Sequence, residues 1–158
     1  MIAPGTKPAL DFSLRIAWAG KVEEVAFSEL LATRLVVSVY MRNNTGSCDR
    51  QTAALTDVAD ELERAGYTLV AISRDTPGSQ LNHAAKNGIG YRLASDPGDR
   101  FARAMDAVVE KKLYGRTFWG PARSAFVFDR DGTVLAVIEK VDPRNHAEQM
   151  RAVIAKLR

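Results

Sequence analysis

Two hydrophobic periodicities take turns along this chain. Asp11-Phe12-Ser13-Leu14-Arg15-Ile16 alternates polar with apolar, Ala19-Gly20-Lys21 reads as a turn, and Val22–Phe27 follows, which predicts an N-terminal β-hairpin. Leu35–Tyr40 is apolar at nearly every position and predicts a central strand covered on both faces. After it the spacing changes. Ala53, Ala54, Leu55, Val58, Ala59 and Leu62 recur at three- and four-residue intervals, a helix that begins near Cys48 and stops at Gly66. Thr68–Ser73 is the next buried strand, and Thr76-Pro77 opens a helix that runs to Asn87-Gly88. Arg92–Ser95 is a short strand, followed by a helix expected from Asp96-Pro97 through about Ala107. No element is assigned from there to Ser124. Ser124–Phe128 and Val134–Glu139 are strands joined by the hairpin signal Arg130-Asp131-Gly132. Asn145 is expected to cap a closing helix with Met150, Val153, Ile154 and Leu157 on one face.

The order is a hairpin, then β-α-β-α-β-α, then β-β-α. A βαβ unit followed by a ββα unit is the thioredoxin-like layout, an α/β fold with a central mixed sheet flanked by helices. Here it carries an N-terminal β-hairpin extension and a middle insertion. Residues 1–158 are expected to form a single domain, long enough to bury a substantial core. With 46% hydrophobic and 26% charged residues, the composition is that of a globular protein. The net charge of +3 is scattered rather than blocked, which argues against nucleic acid as a partner. Neither a signal peptide nor an apolar run long enough to span a membrane is visible, so a cytoplasmic location is expected.

Cys48 is the chain's single cysteine, which excludes an intramolecular disulfide and any multi-cysteine zinc site. It falls at the junction between a strand and the helix after it, in or near the first helical turn. Unpaired N–H groups and the positive end of the helix dipole favour an anion there, which lowers a thiol pKa. The Thr45 hydroxyl, three residues earlier, can point at the same spot. Free cysteines are also among the most buried residue types and behave as small hydrophobes. The flanks Asn43–Ser47 and Asp49-Arg50-Gln51 are polar, however, a poor setting for an inert core thiol.

Other motifs are weaker. Asp129 and Asp131, two apart after an apolar strand, resemble the opening of haloacid-dehalogenase-type phosphatases, but only a short segment follows them. A hairpin turn, for which Asp-Gly supplies the positive φ, explains them better. As an EF-hand the same run fails at its twelfth position, Lys140, where a bidentate glutamate is required. Gly88-Ile89-Gly90 lacks the third glycine of a dinucleotide fingerprint. His83 and His146 are expected to be solvated surface groups rather than bases. Arg123, immediately before the Ser124–Phe128 strand, is a candidate to stabilise a thiolate and to offer forked donors to an incoming oxygen. Phe118-Trp119 reads as core or rim packing, with lining of a substrate pocket as the alternative.

The chain resembles the peroxiredoxins, most closely the bacterioferritin-comigratory (Q-type) branch, over nearly its whole length. The similarity is carried by Pro4–Phe12, Thr45-Gly46-Ser47-Cys48, Leu69–Asp75, Leu93–Asp96 and Arg123–Phe128. The family pattern, Pro-x-x-x-Thr/Ser-x-x-Cys with a distant arginine, matches at Thr45, Cys48 and Arg123. The resemblance implies that Cys48 is a peroxidatic cysteine and that Thr45 and Arg123 handle the peroxide. It implies hydrogen peroxide or small organic hydroperoxides as substrates, and no cofactor. Two positions depart from the pattern. Its proline, which shields the thiolate, falls on Met41, and Ala53 stands where many Q-type members place a resolving cysteine. A one-cysteine enzyme is implied, dependent on an external thiol such as thioredoxin, glutaredoxin or a low-molecular-weight thiol, with sulfinic acid formation as a liability. A family-style homodimer through the face near the active site is compatible with the sequence, which does not itself set the oligomeric state. Two alternatives stay open. One is a thioredoxin-like thiol–disulfide oxidoreductase, weakened because Thr45 replaces the first cysteine of a Cys-x-x-Cys. The other is a non-enzymatic redox sensor or binding protein, which Met41 keeps in view.

Overall fold

The computed structural model describes residues 1–157. Strands β1 (Ser13–Trp18) and β2 (Lys21–Ala26) form the N-terminal hairpin and lead into a one-turn helix α1 (Phe27–Leu30). Then come β3 (Arg34–Val39), α2 (Gly46–Arg64), β4 (Tyr67–Ser73), α3 (Pro77–Asn87), β5 (Arg92–Ser95) and α4 (Arg100–Ala104). A separate hairpin of β6 (Val108–Leu113) and β7 (Arg116–Pro121) precedes β8 (Ser124–Phe128), β9 (Val134–Ile138) and α5 (His146–Lys156). The main sheet has the order β2-β1-β5-β4-β3-β8-β9. Strands β3, β4 and β5 run parallel, and β8 lies antiparallel against β3.

The continuous apolar runs of the central strands have a direct physical reading, because successive side chains point to opposite faces. Val36, Leu69, Ala71, Ala125 and Val127 meet Leu55, Val58 and Leu62 of α2 and Met150 and Ile154 of α5. Their neighbours Leu35, Val37, Val70, Ile72, Phe126 and Phe128 pack with Phe27 of α1 and Phe101 of α4 on the other side. Both faces are covered, as the sequence implies.

Three readings need correction. The helix expected from Asp96-Pro97 starts only at Arg100. Asp99 adopts φ 51°, and both oxygens of Asp96 are spent accepting the N–H groups of Arg100 and Phe101. The unassigned stretch before β8 is the β6–β7 hairpin, closed by Tyr114 and Gly115 at φ 51° and 76°, the left-handed pair a tight turn needs. Its strands carry Glu110, Lys111, Lys112 and Arg116, so the alternation that marks a half-buried strand is blurred. Asn145 does precede α5, but its side chain donates to Asp142 Oδ2 at 2.8 Å instead of capping the helix.

Candidate active site

Cys48 occupies the first turn of α2, whose N-cap is Thr45 in extended geometry. The loop that delivers it is tied down residue by residue. Asn44 sits at φ 61° and its N–H donates to Asp49 Oδ1 at 2.9 Å, while the Thr45 hydroxyl donates to the Arg42 carbonyl at 2.9 Å. The buried Asn43 binds the loop to the strand ends. Its N–H donates to Asp75 Oδ2 (2.9 Å), its Oδ1 accepts from the Tyr40 hydroxyl (2.7 Å), and its Nδ2 donates to Gln80 Oε1 (2.8 Å). Burial raises the pKa of the Tyr40 phenol, so this tyrosine stays a hydroxyl donor at neutral pH.

The sulfur is enclosed, with Cys48 3% exposed and the half-buried Met41 packed on the same cluster. Burial pushes the thiol up. The Thr45 hydroxyl, the backbone of Arg42 and Met41 and the Arg123 charge more than offset it, so the net shift is downward. A thiolate is therefore available closer to neutrality than for an ordinary cysteine.

Arg123 is delivered by strand pairing. Val39 at the end of β3 is in register with Ser124 at the start of β8, which sets Arg123 beside the point where the cysteine loop leaves the sheet. The half-buried guanidinium donates through Nη1 to Gln51 Oε1 at 3.0 Å. Gln51 lies on α2 three residues after Cys48, so the same helix face carries the nucleophile and the partner of the arginine. Lys111, on the face of β6 that it shares with Phe118 of β7, is half-buried. Burial and then the Arg123 charge push its ammonium below its usual range, while the Cys48 charge acts in the opposite sense.

The site thus gathers Cys48, Thr45 and Arg123, the three residues singled out from sequence. It also includes Tyr40, Asn43, Gln51 and Lys111, which the sequence reading passed over. For Gln51 the three-residue spacing from Cys48 was an available signal; for Asn43 and Lys111 nothing in the sequence marks them. The histidines are a correction. His83 and His146 are 3% and 0% exposed, not solvated. His83 Nε2 lies 3.2 Å from Thr52 Oγ1 and its Nδ1 is 3.2 Å from Asn87 Nδ2, whereas His146 is bonded to Ser38 and Gln149. Their ring nitrogens are spent on these partners and not on a Cys–His pair. On β7, Trp119 is 63% exposed and its neighbour Phe118 is half-buried.

A profile of the AhpC/TSA family matches residues 6–137. The chain belongs to the AhpC/TSA family. Among its relatives, Peroxiredoxin Bcp of Xanthomonas campestris is 30% identical over 147 residues, covering 93% of this chain and 91% of the relative. Peroxiredoxin Bcp of Escherichia coli is also 30% identical, over 78% of this chain and 80% of its own length. In fold, the chain matches the solved Xanthomonas campestris bacterioferritin comigratory protein with a TM-score of 0.87 at 24% identity, over 99% of this chain and 100% of that one. This AhpC/TSA protein is a peroxiredoxin of the Bcp type, a thiol peroxidase with a thioredoxin-like fold, and its single cysteine fits a one-cysteine cycle.

Proposed function

We propose that Cys48 is the peroxidatic nucleophile, with Thr45 and Arg123 as the groups that orient the peroxide and stabilise its breaking O–O bond. The thiolate attacks one peroxide oxygen in line with that bond. A sulfenic acid forms on Cys48 and the other oxygen leaves as hydroxide or alkoxide, which takes a proton to become water or an alcohol. Arg123 meets the negative charge as it moves onto the leaving oxygen, and the N–H groups of the first turn of α2 add to it. The Thr45 hydroxyl, whose hydrogen goes to the Arg42 carbonyl, offers its oxygen to accept the peroxide hydrogen and turns to donate only when that bond is released. One external thiol then condenses with the sulfenic acid, releasing water and leaving a mixed disulfide. A second thiol attacks that disulfide and restores Cys48.

The observation that carries this reading is the delivery of Arg123 by the β3–β8 pairing to the same junction as Cys48 and Thr45. Organic hydroperoxides are included among the substrates because the Xanthomonas campestris structural relative has been studied for alkyl peroxide reduction. The reductant is a small thiol or a thioredoxin- or glutaredoxin-class protein, since Ala53 and the rest of the chain supply no second cysteine.

The test mixes reduced protein with stoichiometric hydrogen peroxide or an alkyl hydroperoxide and follows Cys48 sulfenic acid by mass spectrometry. Cys48→Ser should give no adduct, and Thr45→Val and Arg123→Met should each slow oxidation at least about 10-fold, the scale of one lost charge-stabilising donor. Wild-type oxidation no faster than that of a free thiol, or unchanged rates in both variants, would sink the assignment.

A further inference from the structure

A second line of residues runs from the active site into the core. Gln51, Ser38 and His146 are all fully buried, with no exposed surface. Arg123 Nη1 donates to Gln51 Oε1 at 3.0 Å. The amide nitrogen of Gln51 spends its two hydrogens on Ser38 Oγ at 2.8 Å and on the Val39 carbonyl at 3.0 Å. Ser38 Oγ accepts there, and its own hydrogen goes to His146 Nε2, 2.9 Å away, because the other ring nitrogen faces the carbonyl oxygen of the Gln149 amide, which can only accept. Nε2 must then be the unprotonated ring nitrogen, and the proton sits on Nδ1, 3.2 Å from Gln149 Oε1. Gln149 is held in turn, accepting the Asp142 N–H at 3.0 Å and donating to the Lys140 carbonyl at 3.1 Å.

Each hydrogen in this chain points away from the guanidinium, and only one arrangement satisfies all of it. Were the Gln51 amide turned over, its oxygen would face the Val39 carbonyl and its NH2 would face Arg123, two donor–donor or acceptor–acceptor clashes in a buried site. The Val39 carbonyl and Arg123 decide which way the amide lies, and His146 Nε2, by taking the Ser38 hydrogen, keeps Ser38 Oγ an acceptor for the second amide hydrogen. Without that acceptor the Ser38 hydroxyl is free to rotate toward Gln51 and compete with the donor it now receives. We propose that His146 is a positioning residue for Arg123, acting through Ser38 and Gln51 to hold the guanidinium where the peroxide binds. The proposal rests on the peroxidase reading and extends it to α5, the closing helix. It also accounts for a serine within the buried run Leu35–Val39 of β3 and for a histidine sealed at the start of α5.

The experiment compares wild type with Ser38→Ala, His146→Leu, His146→Gln, Arg123→Met and the Ser38→Ala/Arg123→Met pair. Two rates are read at a pH where the thiolate is fully formed: oxidation of Cys48 by hydrogen peroxide, which needs Arg123, and alkylation by iodoacetamide, which does not need a bound peroxide. Ser38→Ala and His146→Leu should slow oxidation about 5- to 20-fold, the effect of losing one buried hydrogen bond, and leave alkylation within about 2-fold. His146→Gln, whose Oε1 can take the Ser38 hydrogen, should recover most of the rate. In the Arg123→Met background, Ser38→Ala should add less than about 2-fold, because both changes remove the same interaction.

If His146→Leu does not fold, Ser38→Ala, which deletes a single oxygen, carries the same comparison. Wild-type oxidation in folded Ser38→Ala, an undiminished loss in the Arg123→Met background, or equal losses in oxidation and alkylation would each overturn the proposal. Normal slowing by Arg123→Met would in those cases leave the peroxidase reading standing, whereas an Arg123→Met protein that oxidises at the wild-type rate overturns both this proposal and the role given to Arg123.

Discussion

His146 changes its proton affinity when the chain folds, and the consequence is measurable. Burial pushes its imidazole from the ordinary 6.5 down to about 4. Between those values an unfolded chain binds a proton that the folded chain refuses, so stability is full above about pH 6.5 and is lost as pH falls toward 4, by about 3 kcal/mol for this group. His83 is shifted in the same direction, by burial first. Urea unfolding at several pH values across that window should show a steep loss in wild type and a shallower one in His146→Gln. Parallel curves would mean that the neutral buried ring is not what folding selects. Cys48 works in the opposite part of the scale. Its folded pKa is lowered, so the unfolded chain binds the extra proton and the thiolate adds stability that is present above the ordinary thiol value near 8.5 and disappears as pH falls through the folded value. Iodoacetamide alkylation against pH should therefore have its midpoint below that of a free thiol, and Arg123→Met should move the midpoint upward. Of these groups, Cys48 and Arg123 could be named from their neighbours in sequence. The histidines could not, because their burial is created by α2, α3, α5 and β3, all distant along the chain.

At the scale of elements, Arg74 ties the β6–β7 hairpin to the turn before α4. Arg74 Nε donates to both oxygens of Asp99 at 3.0 and 2.9 Å, and its Nη2 reaches Asp99 and the Trp119 carbonyl, the latter at 2.9 Å. Because Asp99 is only 9% exposed, Arg74→Met leaves a largely buried carboxylate unpaired and should cost about 2 kcal/mol. Hydrogen exchange in Arg74→Met should accelerate across 108–121 and stay unchanged in β3 and β4. Uniform acceleration would mean that the arginine supports the whole body and not the hairpin. Helix α3 was legible from its ends alone. Thr76 Oγ1 accepts the Ser79 N–H at 3.2 Å, Pro77 takes the first position, and Gly88 closes the helix at φ 62°. No atom crowds a Cβ at Gly88, so Gly88→Ala isolates the backbone strain and should lower stability by about 1 kcal/mol in denaturant unfolding. The hairpin was not legible because Glu110, Lys111, Lys112 and Arg116 blur its alternation and its anchor, Arg74, lies outside its own residues.

For the whole molecule, the sheet separates two cores of different character. The side of α1 and α4 is built on aromatic rings, with Phe27 stacked on Phe101 at 5.6 Å and Phe126 and Phe128 edge-on around them. Phe101→Ala should cost about 3–5 kcal/mol by thermal or urea unfolding, since rings on both sides of the gap are held by the sheet and cannot close it. The opposite side carries α2 and α5, and with them Cys48, Gln51 and His146. The sequence by itself determined the order of the main-sheet strands and their long helices, the two-faced sheet and the placing of Thr45 and Cys48 at a strand-to-helix junction, because periodicity and end signals are local properties. Only the tertiary structure decided that Arg123 is held by Gln51, that Ser38 and His146 stand behind it, and that a hairpin hangs beside the site. Those outcomes depend on strand register and on which polar groups lose water together, quantities set between segments and not within them.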